Sequence, residues 1–419
     1  MTSQVDVPSS IDPLDLVEPS RFARNGYPHE LWATLRGEAP VVYLEPEGYV
    51  AFWAVTKHTD ITDIASQPER FSSAHGLILG HPGAPAPPSE MVVMLDPPSH
   101  GPLRRVAMPR FTPRAIRSRH DEIDRIAVKV LDDLVASNDE EFDFVERVAA
   151  PLPIGVISWI LGVPGDDWKI LFGWTNEVIG KDDPEFRRPG ETAGQTIRRA
   201  RGELHAYLED LITTRRLEPG DDIISQLIAA EIDGEPLTPV QLLNYAELMV
   251  EAGNETTRNA ISHGLLALTE HPDQRALWQA DPAAIAATGV DEIVRWGSPV
   301  IWMRRTVAED TVLGGEELHP GDKVILFYNS ANRDEDVFDD PYHFDVRRSP
   351  NPHVGFGAAG PHFCLGAHLA RQEIDVMFRQ LFERLPDIES VGEPDRLRSS
   401  FINGIKHMDC VFTPVAPAG

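Results

Sequence analysis

Apolar residues recur at helical spacing through much of this chain. Ile123–Leu134, Ile197–Leu211 and Leu369–Leu381 each carry them along one side of a 3.6-residue period. Shorter β-rich runs occur near each end: Val41–Leu44, Tyr49–Val55, Thr311–Leu318 and Lys323–Tyr328. The pattern predicts a mainly helical body with small β-sheets to one side.

The longest predicted helix begins at Thr238. Thr238-Pro239-Val240-Gln241 offers an N-cap, a proline at the first helical position and a capping-box glutamine. The pattern then runs to Glu270 and stops before His271-Pro272. At about 1.5 Å per residue such a helix is roughly 48 Å long, enough to cross a domain. His81–Pro98, by contrast, is proline-rich and has no period. It reads as a loop, either over a ligand site or on the plain surface.

Composition narrows the class. The 419 residues contain no repeat and no linker-like tract, so a single domain over residues 1–419 is the simplest expectation. Met1–Leu16 lacks the basic and apolar regions of a signal peptide. The longest apolar stretch, Ala149–Val163, is too short for a membrane span and is broken by Pro151, Pro153 and Gly162. The expectation is a soluble, cytoplasmic monomer. The formal net charge of −28 argues against non-specific binding to nucleic acid or anionic membranes. Cys364 and Cys410 could pair, but nothing else suggests an oxidising compartment.

Three segments carry chemistry. Phe356-Gly357-Ala358-Ala359-Gly360-Pro361-His362-Phe363-Cys364-Leu365-Gly366 is a glycine-rich loop that delivers a cysteine to the start of a helix. Backbone N–H groups at a helix start favour a thiolate, and glycines let the chain approach a flat cofactor. A thiolate there suits a haem iron. A buried structural cysteine, or a metal site of His362, Cys364 and His368, is the alternative. Glu292-Ile293-Val294-Arg295 puts an acid and a base three apart on one helix face. Ala252-Gly253-Asn254-Glu255-Thr256-Thr257 interrupts the long helix with residues that weaken or bend it. An acid beside an alcohol at such a point can relay protons; a tolerated kink is the plainer reading.

In this order and spacing, the three segments resemble the cytochrome P450 superfamily over essentially the whole chain. The resemblance implies haem b between the long helix and the Cys364 helix. It also implies a monooxygenase that puts one oxygen atom of O2 into a C–H bond and releases the other as water. It makes Cys364 the iron ligand, in a loop that includes Phe356 and Gly366. Glu255 and Thr256 become the proton-delivering pair, and Glu292 and Arg295 a structural pair joined by Arg348. His100, Arg104, Arg305 and His362 become propionate partners, with Arg305 just before the second sheet. One residue more than usual separates Phe356 from Gly360. With Ala252–Asn259, Met303–Thr306 and Phe401–Lys406, this resembles an actinobacterial group that hydroxylates methyl-branched lipids and sterols.

The resemblance also implies a hydrophobic substrate: a fatty acid, branched lipid, terpene or steroid. Its expected contacts are Met94, Glu251, Ala252, Ile301, Trp302 and Phe401. Glu247 and Glu251 stand where the family usually has apolar residues. They form either a solvated face or, at Glu251, a polar wall of the substrate pocket. The chain has no flavin or iron–sulfur motif, so electrons should come from a ferredoxin and its reductase. Six arginines and no acid lie between positions 104 and 119. Of these, Arg105, Arg110, Arg114 and Arg117 are the expected docking residues. A peroxide-driven enzyme and a haem sensor without turnover are the competing classes; the Glu255-Thr256 pair favours O2 chemistry.

Overall fold

The computed structural model describes residues 11–83, 90–137, 139 and 141–413. Positions 84–89 of the proline-rich loop and positions 1–10 of the acidic N-terminus lie outside the described residues. The elements that frame the site are, in chain order, β1 (Val41–Leu44), β2 (Phe52–Val55), α1 (His58–Ala65), β3 (Phe71–Ser72) and α2 (His100–Ala107). Next come α3 (His120–Ser137), α4 (Pro151–Leu161), α5 (Trp168–Ile179), α6 (Ala193–Leu217), α7 (Pro239–Glu270) and α8 (Pro282–Gly297). Last are β4 (Trp302–Val307), β5 (Thr311–Leu313), β6 (Glu316–Leu318), β7 (Lys323–Phe327) and α9 (Ala367–Arg384).

The long helix α7 has 32 residues and is unbroken. Thr238 Oγ1 accepts from the Gln241 N–H at 3.1 Å, and the Gln241 side chain accepts from the Thr238 N–H at 3.0 Å. These reciprocal bonds satisfy N–H groups that the first turn leaves unpaired. Leu242, Ala246, Val250, Ile261, Leu265 and Leu268 are buried along it. It packs against α4, α5, α6, α8 and α9. The resulting apolar cluster is the largest in the protein's described part.

The main sheet has the order β1-β2-β7-β4-β3. β2 and β7 run parallel, with Trp53 opposite Val324; β7 and β4 run antiparallel, with Val324 opposite Arg305. β4 was not expected from the pattern. Five of its six residues are buried, so it shows no apolar–polar alternation. The expected Thr311–Leu318 strand is two strands, β5 and β6. Gly314 and Gly315 adopt φ of 59° and 89° and turn the chain into a hairpin between them. Among the described residues, no helix is long and apolar enough to cross a membrane.

Candidate active site

The Cys364 loop opens with a tight turn and is closed by a longer-range backbone bond. The Gly357 N–H donates to the Val354 carbonyl and the Cys364 N–H to the Phe356 carbonyl, both at 2.9 Å. Gly360 has φ of 123°, and a Cβ there would collide with the carbonyl oxygen of Ala65 at the end of α1. Only glycine fits both the backbone and the space. Gly366 is the N-cap of α9, so Cys364 stands two residues before the cap rather than in the first turn. Both cysteines are free thiols. Burial pushes the Cys364 thiol up, against the Gly366 N–H and the Arg104 and Arg371 guanidiniums. The expected bias toward thiolate from the helix start is therefore outweighed by desolvation. A bound cation would reverse that balance.

Cys364 lies at one wall of a cavity between α9 and α7, with an empty volume of about 1560 Å³ including its open mouth. Phe356, Gly366 and Leu369 continue that wall. Ala252, Thr256, Leu248 and Met249 of α7 form the opposite one. Val92 and Val93 close it from the loop before α2, and Val300 and Met303 from the β4 side.

His100, Arg104, Arg305 and His362 meet at the cavity. The His100 and His362 rings are 4.3 Å apart, and His362 Nε2 is buried without a partner. Burial, then Arg305 and His100, push His362 down to about 3. Arg104 donates to the Phe363 carbonyl at 2.5 Å, and Arg305 to the Arg304 carbonyl at 2.9 Å. The nearby carboxylate, Asp96, is held by Ser72 and Ser73. Four donor side chains facing an apolar slot, one with an orphaned nitrogen, call for an anionic guest. A flat ring with two carboxylates fits this donor set, and a thiol-ligated metal at its centre fits Cys364. Among the described residues, no three His, Cys, Asp or Glu side chains form a metal cluster, so His362 and His368 do not join Cys364 in one.

On α7, Thr256 Oγ1 donates back to the Ala252 carbonyl at 3.0 Å. Thr256 and Ala252 line the cavity; Glu255 does not. Glu255 is buried on the flank, bonded to Arg258 and, at 2.9 Å, to the Asn259 side chain. Arg258 in turn donates to Asn176 of α5 at 2.7 Å. Behind the site, Glu292 and Arg295 are fully buried; Arg348 approaches Glu292 at 3.2 Å, and Asn351 does so at 3.2 Å.

Five expected substrate contacts lie elsewhere. Ile301 and Trp302 are buried in a second apolar cluster with Trp32 and Phe327. Side chains alternate along a strand, so Met303 and Arg305 face the cavity while Trp302 faces away. Phe401 stacks edge-on against Trp302 at 5.2 Å. Met94 ends a short turn whose first two residues, Val92 and Val93, reach the cavity instead. Glu251 is neither a pocket wall nor a solvated residue. It faces α6, with Arg201 at 3.8 Å. Arg305 is also not before the sheet but inside β4. The missed residues had a signal. Leu248 and Met249 lie four and three before Ala252, and Met303 lies two before Arg305.

On the outer surface, Arg105, Arg114 and Arg117 are exposed. Arg110 differs: it pairs with Asp221 at 2.6 Å and donates to Gln226 at 2.9 Å.

A cytochrome P450 family model matches residues 286–400. A methyl-branched lipid omega-hydroxylase of Mycobacterium tuberculosis is 42% identical over 390 residues, 91% of this chain and 90% of the relative. A steroid C26-monooxygenase of Rhodococcus jostii is 38% identical over 414 residues, 95% of this chain and 84% of that one. A solved Mycobacterium marinum cytochrome P450 in complex with pseudoionone superposes with a TM-score of 0.89 at 36% identity, covering 97% of this chain and all of the other. The thiol, the anion-seeking rim and these relatives agree: the chain belongs to the cytochrome P450 family of haem b-dependent monooxygenases.

Proposed function

We propose that this protein hydroxylates a terminal methyl or nearby carbon of a long, apolar, lipid- or steroid-like substrate. The observation that carries this reading is the cavity itself. A thiol stands on one wall, a threonine on the other, and Val92, Val93, Leu248, Met249 and Met303 surround the space between. The relatives named for lipid omega-hydroxylation and steroid C26-oxidation support the terminal position.

In this reading Cys364 ligates the haem iron, and His100, Arg104, Arg305 and His362 hold the propionates. Bound haem supplies O2 activation. Ala252 and Thr256 line the α7 wall of the cavity, and its apolar lining would exclude water around the substrate chain. The Thr256 hydroxyl, with Glu255 beside it, passes protons into the cavity. Glu292, Arg295 and Arg348 keep the Cys364 side of the fold rigid. A ferredoxin docks on the face that bears Arg105, Arg114 and Arg117 and delivers the electrons.

The test is a substrate screen. Branched-chain fatty acids, terpenes and steroids are titrated against the haem-loaded protein for a low-spin to high-spin shift. Those that bind are turned over with a ferredoxin and its reductase. Terminal alcohols are the expected products. Oxidation only with added peroxide, or no oxidation at all, would sink the proposal.

A further inference from the structure

Three carboxylates follow one flank of α7 toward the cavity: Glu247, Glu251 and Glu255, four residues apart. Their side chains are 3%, 15% and 2% exposed. Buried carboxylate oxygens are nearly always hydrogen-bonded. Here each of the three has one oxygen without a hydrogen-bond partner: Glu247 Oε1, Glu251 Oε1 and Glu255 Oε2. The nearest cation to Glu251, Arg201 of α6, is 3.8 Å away and beyond hydrogen-bond reach.

Glu247 is the outer end of the row. One oxygen is 3.2 Å from Arg201 Nε and the other 2.8 Å from His205 Nε2. The His205 side chain is 33% exposed, so it links the row to solvent between α6 and α7. Arg201 and Glu247 are the charged groups that act on Glu251. At the inner end, Arg258 and Asn259 of α7 hold Glu255. α5 meets this stretch with Asn176 against Arg258 and Thr175 against Asn254, both uncharged.

An ion-pair clasp between α6 and α7 would explain Glu247, which has two partners. It does not explain Glu251, a buried carboxyl one turn from two others whose cation, Arg201, stands 3.8 Å off. We infer that His205, Glu247 and Glu251 are a proton ladder that resupplies Glu255 and Thr256 from the α6 surface. The inference rests on the monooxygenase reading above, with Glu255 and Thr256 as its last step.

The reaction has the balance RH + O2 + 2 electrons + 2 protons → ROH + H2O. The ferredoxin supplies the electrons, but both protons must come from bulk water into a mostly apolar cavity. In each hop an O–H or N–H bond breaks on the donor and an O–H bond forms on the next carboxylate. His205 then takes a proton from water, so each inward transfer leaves every group as it began. Neighbouring carboxylates are one turn apart, about 6 Å along the axis. A side-chain rotation or a single water bridges each gap. Burial, with Glu247 adding to it and Arg201 opposing, pushes Glu251 up to about 7. Both its acid and its base forms are then present near neutral pH, as a relay requires.

The experiment uses the haem-loaded enzyme with ferredoxin and reductase in excess. Turnover is measured against pH in H2O and D2O, with the substrate-induced spin shift as the binding control. Glu251→Gln keeps the shape and removes the acid. The expected result is an unchanged substrate Kd, kcat lower by roughly tenfold, and a larger solvent isotope effect. Glu251→Asp recovers part of the rate, and Glu247→Gln moves both readouts the same way. Infrared titration supplies a readout apart from turnover. A protonated carboxyl band disappears across neutral pH in the wild type and is missing from Glu251→Gln.

A normal kcat, pH profile and isotope effect in Glu251→Gln would overturn the ladder. So would a lower kcat with an unchanged isotope effect, which marks a structural loss. If Glu251→Gln fails to fold, His205→Asn at the exposed end decides on the same two readouts. A wild type that forms no product overturns the monooxygenase reading instead.

Discussion

Arg295 grips Glu292 through two parallel N–H···O bonds of 2.7 Å, and neither side chain has any exposed surface. The remaining guanidinium N–H groups donate to the carbonyls of Asn332, Pro341 and His343. Glu292 also accepts from the Asp345 N–H at 2.9 Å. One helical pair thus ties α8 to the segment that leads into the Cys364 loop. Removing Glu292 leaves the buried Arg295 without a counter-charge, and removing Arg295 leaves Glu292 with only Arg348 at its edge; either loss costs about 3–5 kcal/mol. Glu292→Ala and Arg295→Ala should each show that loss in denaturant unfolding, with low haem content. Arg348→Ala, at the edge of the same network, should cost about 1–3 kcal/mol. Equal effects from all three would show that the core pair holds no special place.

Cys364→Ala should remove the red-shifted absorption band of the ferrous–CO form while leaving the overall helix content intact. The second cysteine, Cys410, is buried on a short strand far along the chain from the loop. Cys410→Ala should keep the band. Absorption spectra of the two variants under CO, beside circular dichroism, check both statements. A retained band in Cys364→Ala would reassign the ligand.

The legible parts of this site share a local cause. Thr238, Pro239 and Gln241 define a helix start within four residues, and the structure places that start at Pro239. The Phe356–Gly366 loop carries its own glycine pattern, which Gly360 needs against Ala65. What could not be read depends on partners distant in sequence. Arg304 and Arg305 are buried in β4 because one donates to the carbonyls of His75 and Gly76 and the other turns into the cavity. Two adjacent arginines disguise a central strand. Glu251 likewise reads as a solvated residue or a pocket wall until α6 is laid over it with Arg201. Asp221 neutralises Arg110 across more than a hundred residues, so counting arginines overstated that part of the basic face.

Glu251 also sets a pH dependence of stability. Its folded-state value is pushed up to about 7, above the ordinary carboxylate range, because burial disfavours the charge. Between roughly pH 4.5 and 7 the folded state therefore binds more protons than the unfolded chain, and stability falls as pH rises. Above that window the full penalty applies, about 3 kcal/mol. Glu251→Gln should raise the Tm at pH 8 and change it little at pH 4.5. Thermal unfolding at the two pH values checks the sign. A lower Tm at pH 8 in Glu251→Gln would mean that Glu251 is stabilised by Arg201 rather than strained by burial.

The basic face makes a sharper prediction than its arginine count. Arg114 and Arg117 are exposed on the short helix after the Arg110 turn, whereas Arg110 is paired with Asp221 and bonded to Gln226. A paired cation projects less field toward an incoming acidic partner, and exposed charges steer association in proportion to what remains unscreened. Arg114→Glu and Arg117→Glu should therefore each slow ferredoxin-dependent reduction by roughly tenfold at low ionic strength. The deficit should shrink as salt rises past about 0.15 M, where the Debye length falls to about 8 Å. Arg110→Gln should leave the salt dependence near that of the wild type and instead loosen the contact between this turn and Gln226. Stopped-flow reduction across a salt series separates the two behaviours. If Arg110→Gln slows reduction as much as Arg114→Glu, then Asp221 swings away on docking and Arg110 belongs to the interface.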